Sequence, residues 1–161
     1  MLLSERVLKW AMRFYPPLLF QRIKVQGFEK GYKGVSVKIS KSFLNRNYNN
    51  SIFGGTIFSA ADPFYPVLFY QVLTRRGYQI KAWSKSSAIR YRKPCKTDMH
   101  FSINLKDEDF AACEQQLNTT GKFRMAYPID IYDQDSKLCV SLLSEVYVRN
   151  INYVALKTPV N

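Results

Sequence analysis

The chain alternates between two hydrophobic periods. Leu3, Val7, Leu8, Trp10, Ala11 and Phe14 recur at helical spacing, with Glu5, Arg6, Lys9 and Arg13 on the other side. This predicts an amphipathic N-terminal helix, stopped by Pro16-Pro17, whose apolar side packs on the chain's own sheet. From Arg22 to Ser42 the period drops to two: Ile23 and Val25, then Val35, Val37 and Ile39 between Ser36, Lys38 and Ser40. With Gly31 and Gly34 bracketing a turn, this reads as a hairpin. Ile57, Phe58, Ala61, Phe64, Tyr65, Leu68, Phe69, Val72 and Leu73 return to helical spacing, and nearly every face is apolar. Such a helix is surrounded by protein. Pro63 and Pro66 predict a segment from about Gly54, a break near Asp62, and a second segment to about Arg76, with Gly77 as the stop.

Strand periodicity then dominates. Tyr78 to Pro94 alternates with one parity fault, so a bulge is expected near Ser86-Ser87. Phe101, Ile103 and Leu105 mark the next strand. Asp107 to Thr120 reads as a short helix, capped by Asp107 and ended by Gly121, with Phe110, Ala111, Cys113 and Leu117 on one side. Phe123 to Ile131 and Leu138 to Val148 make two more strands around the polar turn Asp133-Gln134-Asp135-Ser136. The tail, 150–161, has no clear period. The expectation is one domain over 1–161, with 1–21 as a helical extension. Its class is α+β: a curved antiparallel sheet wrapped around one long apolar helix.

Between Ser51 and Gln71 the only residue charged at neutral pH is Asp62. Burying a lone carboxylate is costly, so Asp62 is paired or there for chemistry. Asp before Pro is also a helix-start signature, with Asp as N-cap. Both readings stand at the level of the residues.

The 161 residues are 47% hydrophobic and 22% charged, as in an ordinary globular protein. The net charge of +12 changes the picture. It implies an anionic partner or surface: a nucleotide-bearing cofactor, an acidic carrier protein, nucleic acid or a membrane. No helix-turn-helix, finger or RNA-binding signature is present, so nucleic acid is not expected. No apolar run approaches a spanning helix, and charges interrupt the N-terminal helix too early for a signal peptide. Lys9 and Arg13 leave room for peripheral membrane contact. Cys95, Cys113 and Cys139 are odd in number and far apart, which argues for free thiols in a reducing, cytoplasmic setting and against a zinc site. His100, the only histidine, excludes any multi-histidine metal site. No metal is expected.

Five motifs occur in order: Tyr15-Pro16-Pro17; Asn45-Arg46-Asn47-Tyr48; Ile52-Phe53-Gly54-Gly55; Asp62-Pro63-Phe64-Tyr65; and Ile89-Arg90-Tyr91-Arg92-Lys93-Pro94. The set resembles the hotdog-fold acyl-CoA thioesterases of the phenylacetate-pathway type, and more closely a branch of that superfamily defined only as a domain of unknown function. It covers roughly Tyr15 to Val148. The thioesterases carry an Asn, a His-Gly-Gly and an Asp. Here Asn47, Gly54-Gly55 and Asp62 take those places, and Phe53 replaces the His.

The resemblance implies a hotdog fold and hydrolysis of acyl-CoA or acyl carrier protein thioesters, with CoA entering only as part of the substrate and no further cofactor. Its dimers, sometimes tetramers, place sites at the protomer junction. The Gly54 N–H would face the thioester oxygen, and Asn47 would polarise the carbonyl or position water. Asp62 from the opposite protomer would be general base or nucleophile, with Ser84 at the position that helps hold the water. Phe53 and Gly55 would contact substrate. Lys85, Arg90, Arg92 and Lys93 form the densest basic cluster and would lie near the cofactor phosphates, which suits arginine's bidentate donors. The alternative is a non-catalytic acyl-thioester binding protein. A hotdog dehydratase fits less well: those use a His base, and His100 lies in a late strand away from the glycine turn.

Overall fold

The computed structural model describes residues 2–154; most of the tail expected over 150–161 lies outside them, as does Met1. Helix α1 (Glu5–Phe14) and the short α2 (Pro16–Leu19) lead into strands β1 (Ile23–Phe28) and β2 (Gly34–Ile39). Helices α3 (Gly54–Ala61) and α4 (Phe64–Arg75) follow, then β3 (Ile80–Tyr91) and β4 (Met99–Asn104). Helix α5 (Asp107–Thr119), β5 (Lys122–Asp133) and β6 (Leu138–Asn150) complete the order. The six strands form one antiparallel sheet in the order β1-β2-β4-β5-β6-β3. It is the curved sheet and buried helix of a hotdog fold.

The buried helix holds the sheet through aromatic contacts. Phe64 meets Phe101 edge-on at 6.0 Å, and Phe69 lies 5.4 Å from Phe110 and 5.5 Å from Phe123. Tyr65 stacks on Tyr127 at 4.9 Å, and its hydroxyl donates to the Pro128 carbonyl at 2.7 Å. Burial pushes the Tyr65 hydroxyl well above its ordinary titration range, so it remains a donor.

The helix breaks where the prolines dictate, between α3 and α4, and Gly77 follows the second segment with φ +93°. Asp62 is the C-cap of α3, and its N–H donates to the Phe58 carbonyl at 3.1 Å. It caps nothing with its side chain: Pro63 is the N-cap of α4, without a side-chain bond. Nor is the carboxylate buried. Asp62 is exposed in the single chain, because the break carries it past the apolar packing on either side. In a continuous helix its carbonyl would accept from the N–H of residue 66, but Pro66 has none. The Ser84 hydroxyl supplies the missing donor at 2.8 Å.

Other expectations shift in detail. The β3 bulge falls at Lys85, between Ser84 and Ser86, one step before the expected place. Ala82, Ser84, Ser87 and Ile89 therefore share the half-buried face, while Lys81, Trp83, Ala88 and Arg90 face outward. On α5, Asp107 is ion-paired to Lys33 at 2.7 Å, and Asp109 caps by accepting from the Lys106 N–H at 2.7 Å. On α1, Met12 is buried and Leu8 packs against the core, whereas Val7, Trp10 and Phe14 stay exposed. The apolar arc is wider than the surface available to cover it.

If Ser84 acts as the substitute donor, Ser84→Ala should lower unfolding free energy by about 1 kcal/mol, the ordinary net value of one such bond. Urea unfolding measures it; an unchanged midpoint would remove the assignment.

Candidate active site

The loop from Asn45 to Phe53 is tied down before it reaches the helix. Asn45 is buried, and its Nδ2 donates to the Gln21 and Ser40 carbonyls at 2.8 and 3.0 Å. Its Oδ1 accepts from the Ser42 N–H at 2.9 Å. Asn47 closes the tip: its Oδ1 accepts from the Asn49 N–H at 3.0 Å, the Ser51 N–H at 3.1 Å and the Ser51 hydroxyl at 3.1 Å. The Ile52 N–H then donates to the Cys95 carbonyl at 2.8 Å, fastening the loop to the chain beyond β3.

Between this loop, the start of α3 and the end of β3 lies an open cleft of about 380 Å³. Asn47, Gly54 and Ile57 line one side, and Tyr91, Arg92, Lys93 and Cys95 the other. Thr56 and Ile57 donate their N–H groups to the Phe53 carbonyl. The N–H groups of Gly54 and Gly55 have no acceptor among the described residues. They sit at the positive end of the helix dipole, a place suited to an anion or a developing oxyanion. The Asn47 amide nitrogen likewise has no partner among the described residues, leaving two donors beside them.

A side chain at either glycine would have to displace an aromatic neighbour. A Cβ on Gly54 would lie 2.9 Å from the Tyr91 hydroxyl oxygen. A Cβ on Gly55 would lie 2.4 Å from the Phe53 ring, which is folded back over the turn. Phe53 is mostly exposed and makes no capping bond. Where an imidazole would bring a polar atom to the turn, this chain has a ring face.

Tyr91 was not singled out from the sequence, yet it joins β3 to the site: its hydroxyl donates to the Gly54 carbonyl at 3.0 Å. Burial, and secondarily the neighbouring Cys95, raise its titration point, so it stays a neutral donor. The one available signal was parity, which puts Tyr91 on the same face as Ile89. Cys95 is itself pushed up to about 12, chiefly by burial, which makes it a thiol at neutral pH and a poor nucleophile.

The expected basic cluster divides. Arg92 and Lys93 reach the cleft, held by Ser141 (Arg92 Nε donating to its hydroxyl at 3.0 Å) and by Asp133 (ion pair at 2.7 Å). The hydrogen bond from Lys93, followed by the Lys137 backbone N–H, holds the Asp133 carboxyl down at about 2. Lys85 lies on the outer face, 5.8 Å over the Tyr147 ring, and Arg90 projects outward opposite Ser141, so neither lines the cleft. In the single chain the cleft lies at the end of β3, beyond Arg90 and well past the bulge at Lys85, so of the four only Arg92 and Lys93 line it. The Ser84 hydroxyl donates to the Asp62 carbonyl, which leaves its oxygen as an acceptor. The Asp62 carboxylate has no hydrogen bond or ion pair among the described residues. It stands at the far end of α3, about 12 Å along the axis from Gly54 at the usual rise per residue, so one chain does not bring these two groups together. His100 is exposed on β4 and stacks on Tyr132 at 6.1 Å, away from the cleft. Among the described residues no group of His, Cys, Asp and Glu is placed to hold a metal.

Two outcomes follow from this geometry. Gly54→Ala should cost about 1–3 kcal/mol by overpacking, and Tyr91→Phe about 1 kcal/mol. The double variant should cost less than the sum, since the Tyr91–Gly54 bond can be lost only once; strict additivity in denaturant unfolding would refute the coupling. Asp133, ordinarily titrating at 3.8, is lowered to about 2, so its contribution is complete above pH 3.8 and is lost as pH falls through 2. Acid unfolding of Asp133→Asn should therefore depend less on pH across that window; an unaltered slope would count against the Lys93 tie.

Solved structures similar to the chain share its fold at low identity. The Pseudomonas aeruginosa protein PA5026, described as a protein of unknown function and probable thioesterase, superposes with a TM-score of 0.81 at 15% identity, covering 93% of this chain and 98% of its own. The Haemophilus influenzae thioesterase HI1161 gives 0.68 at 12% identity, with 97% of both chains covered. The Escherichia coli PaaI protein, from the phenylacetic acid degradation operon, gives 0.63 at 15% identity, covering 91% of this chain and 92% of its own. No curated protein matches in sequence. Residues 4–148 match the model of the family described as domain of unknown function (DUF4442), and the chain belongs to that family.

Proposed function

We propose that this chain is an acyl-CoA thioester hydrolase acting as a homodimer or a pair of such dimers in the cytoplasm. The observation that carries the reading is the unpartnered N–H of Gly54, with that of Gly55 next to it in sequence, at a helix start where Gly54 lines a cleft shared with Arg92 and Lys93. A free N–H at a helix start fits the oxyanion of a tetrahedral thioester intermediate, and removing such a donor typically costs about 3 kcal/mol of transition-state stabilisation. The Asn47 amide would add a donor to the carbonyl. Arg92 and Lys93 would hold the phosphates of CoA, or of the prosthetic arm of an acyl carrier protein. The hotdog relatives described as thioesterases support the same chemistry.

The base would come from a second copy. β3 is an open sheet edge twelve residues long, and such an edge invites pairing. Ser84 on it touches Asp62, and Tyr91 touches Gly54. An antiparallel pairing of two β3 edges centred on Ala88 sets Tyr91 of one copy opposite Ser84 of the other, once the bulge at Lys85 is counted. Each carboxylate is then delivered toward the other copy's glycine turn. Asp62 would take a proton from water as it attacks the thioester carbon, the oxyanion would rest on the Gly54 N–H, and the thiolate of CoA would leave.

The alternative, a non-catalytic acyl-thioester binder, is favoured by two facts: Phe53 offers no polar atom at the turn, and the Ser84 proton is spent on the Asp62 carbonyl. Asp62→Asn separates the two, because asparagine keeps the shape and cannot act as base. The rate with an acyl-CoA series should fall by roughly 10²–10⁴-fold at unchanged thermal stability. An equal rate in the variant would overturn the catalytic assignment, and saturable CoA binding without turnover by the wild type would establish the binder. Ala88→Cys should give an intermolecular disulfide on mild oxidation if the edges pair at that register.

A further inference from the structure

The N-terminal face of the molecule is apolar, cationic and uncovered. Along α1, the inward positions are Leu8 and Met12, with Glu5 turned to accept from the Gly31 N–H at 3.0 Å. The opposite side carries Val7, Trp10 and Phe14, of which Phe14 is 66% exposed. Trp10 stacks with Phe14 at 6.0 Å, and the Arg13 guanidinium lies 5.0 Å over the Trp10 ring. Tyr15, Leu19 and Phe20 continue the exposed set across the Pro16-Pro17 turn, with Phe20 at 67%. The Asn45 bond to the Gln21 carbonyl brings the loop bearing exposed Phe43 and Leu44 against the same corner.

Charge distinguishes this face from a chance patch. From Arg6 to Phe28 the chain carries Arg6, Lys9, Arg13, Arg22 and Lys24 and no acidic residue. Trp10, Phe14 and Leu19 share a depression with Arg13, Arg22 and Lys24. Asp98, near Lys24, is already ion-paired to Lys38 at 2.8 Å. A second copy of this chain is disfavoured as the occupant, because two such faces in contact would oppose like charges. The stacked Trp-Phe pair beside Lys9 and Arg13, the latter also donating to the Val25 carbonyl at 2.8 Å, is instead the composition of an element lying in a lipid–water interface. No helix among the described residues is long and apolar enough to cross a membrane.

We propose that the α1–α2 corner docks the protein on an anionic lipid bilayer. Trp10, Phe14, Leu19 and Phe20 enter the headgroup–acyl boundary, and Arg6, Lys9, Arg22 and Lys24 neutralise lipid phosphates. α1 lies flat, with Leu8 and Met12 remaining on the sheet. This holds whether or not the cleft is hydrolytic.

The test uses the full chain with Trp83→Phe, which leaves Trp10 as the sole tryptophan. Vesicles of phosphatidylcholine mixed with phosphatidylglycerol should sediment the protein and shift Trp10 emission to the blue. Phosphatidylcholine alone should bind it at least ~10-fold less, since the cations then lack counter-charges. Phe14→Ser with Phe20→Ser should lower the bound fraction at least ~10-fold while far-ultraviolet circular dichroism stays native. Arg22→Gln with Lys24→Gln, a surface change that leaves the core intact, should weaken binding selectively for the charged vesicles. No sedimentation, equal binding to neutral vesicles, or full binding by the folded Phe14→Ser/Phe20→Ser variant would each overturn the proposal. So would a loss of dimer mass in that variant without vesicle binding by the wild type, which would make the face a contact between copies.

Discussion

Two hydroxyls on one strand hold the two ends of one helix. Tyr91 binds the carbonyl of Gly54, the first residue of α3, and Ser84 binds the carbonyl of Asp62, its C-cap. The second bond exists because Pro66 cannot donate, and the first has room because Gly54 has no side chain. Together they fix α3 against β3, so the free N–H groups at one end and the free carboxylate at the other are set by the same sheet edge. Any group that later pairs with that edge meets both.

The charges are distributed unevenly over this frame. Of the basic residues at the cleft, Lys93 is held by Asp133 and Arg92 by Ser141, so they are positioned before any ligand arrives. Prepositioned cations cost less ordering on binding than mobile ones. Lys85 and Arg90 face outward instead, and the cations of α1 and β1 surround aromatic side chains. The single figure of net charge thus conceals two surfaces with different chemistry: a polar, preordered cleft and an apolar cationic corner.

Periodicity made most of the fold legible. All six strands, the break at Asp62-Pro63 and the stop at Gly77 follow from local rules, because alternation and proline act over a few residues. The motifs likewise pointed to Asn47, Gly54, Arg92 and Lys93, which do line one cleft. Three things were not legible. Asp62 sits among apolar neighbours in sequence, yet exposure is decided by where a helix break meets a sheet edge. The helical period of α1 places Leu3, Val7, Leu8, Trp10, Ala11 and Phe14 toward the core, but of these Leu8 packs on it while Val7, Trp10 and Phe14 stay exposed, and the buried residue is Met12, outside that set. Tyr91 looked like an ordinary strand aromatic, since what distinguishes it is a hydroxyl meeting a carbonyl thirty-seven residues away.

Phe53 shows how this turn does without an imidazole. Its ring lies so close to Gly55 that no Cβ fits, and the turn is shaped by packing rather than by a side-chain hydrogen bond. The ring supplies no proton, however, and Cys95 is held as a thiol while Tyr91 is held as a donor to backbone. None of the residues that line the cleft is a carboxylate, and the one that flanks it, Asp133, is tied to Lys93 and held down at about 2, which leaves it a weak base. Under the proposed hydrolysis the base would therefore come from outside the chain's own cleft, and the carboxylate beside the open β3 edge with no hydrogen bond or ion pair among the described residues is Asp62.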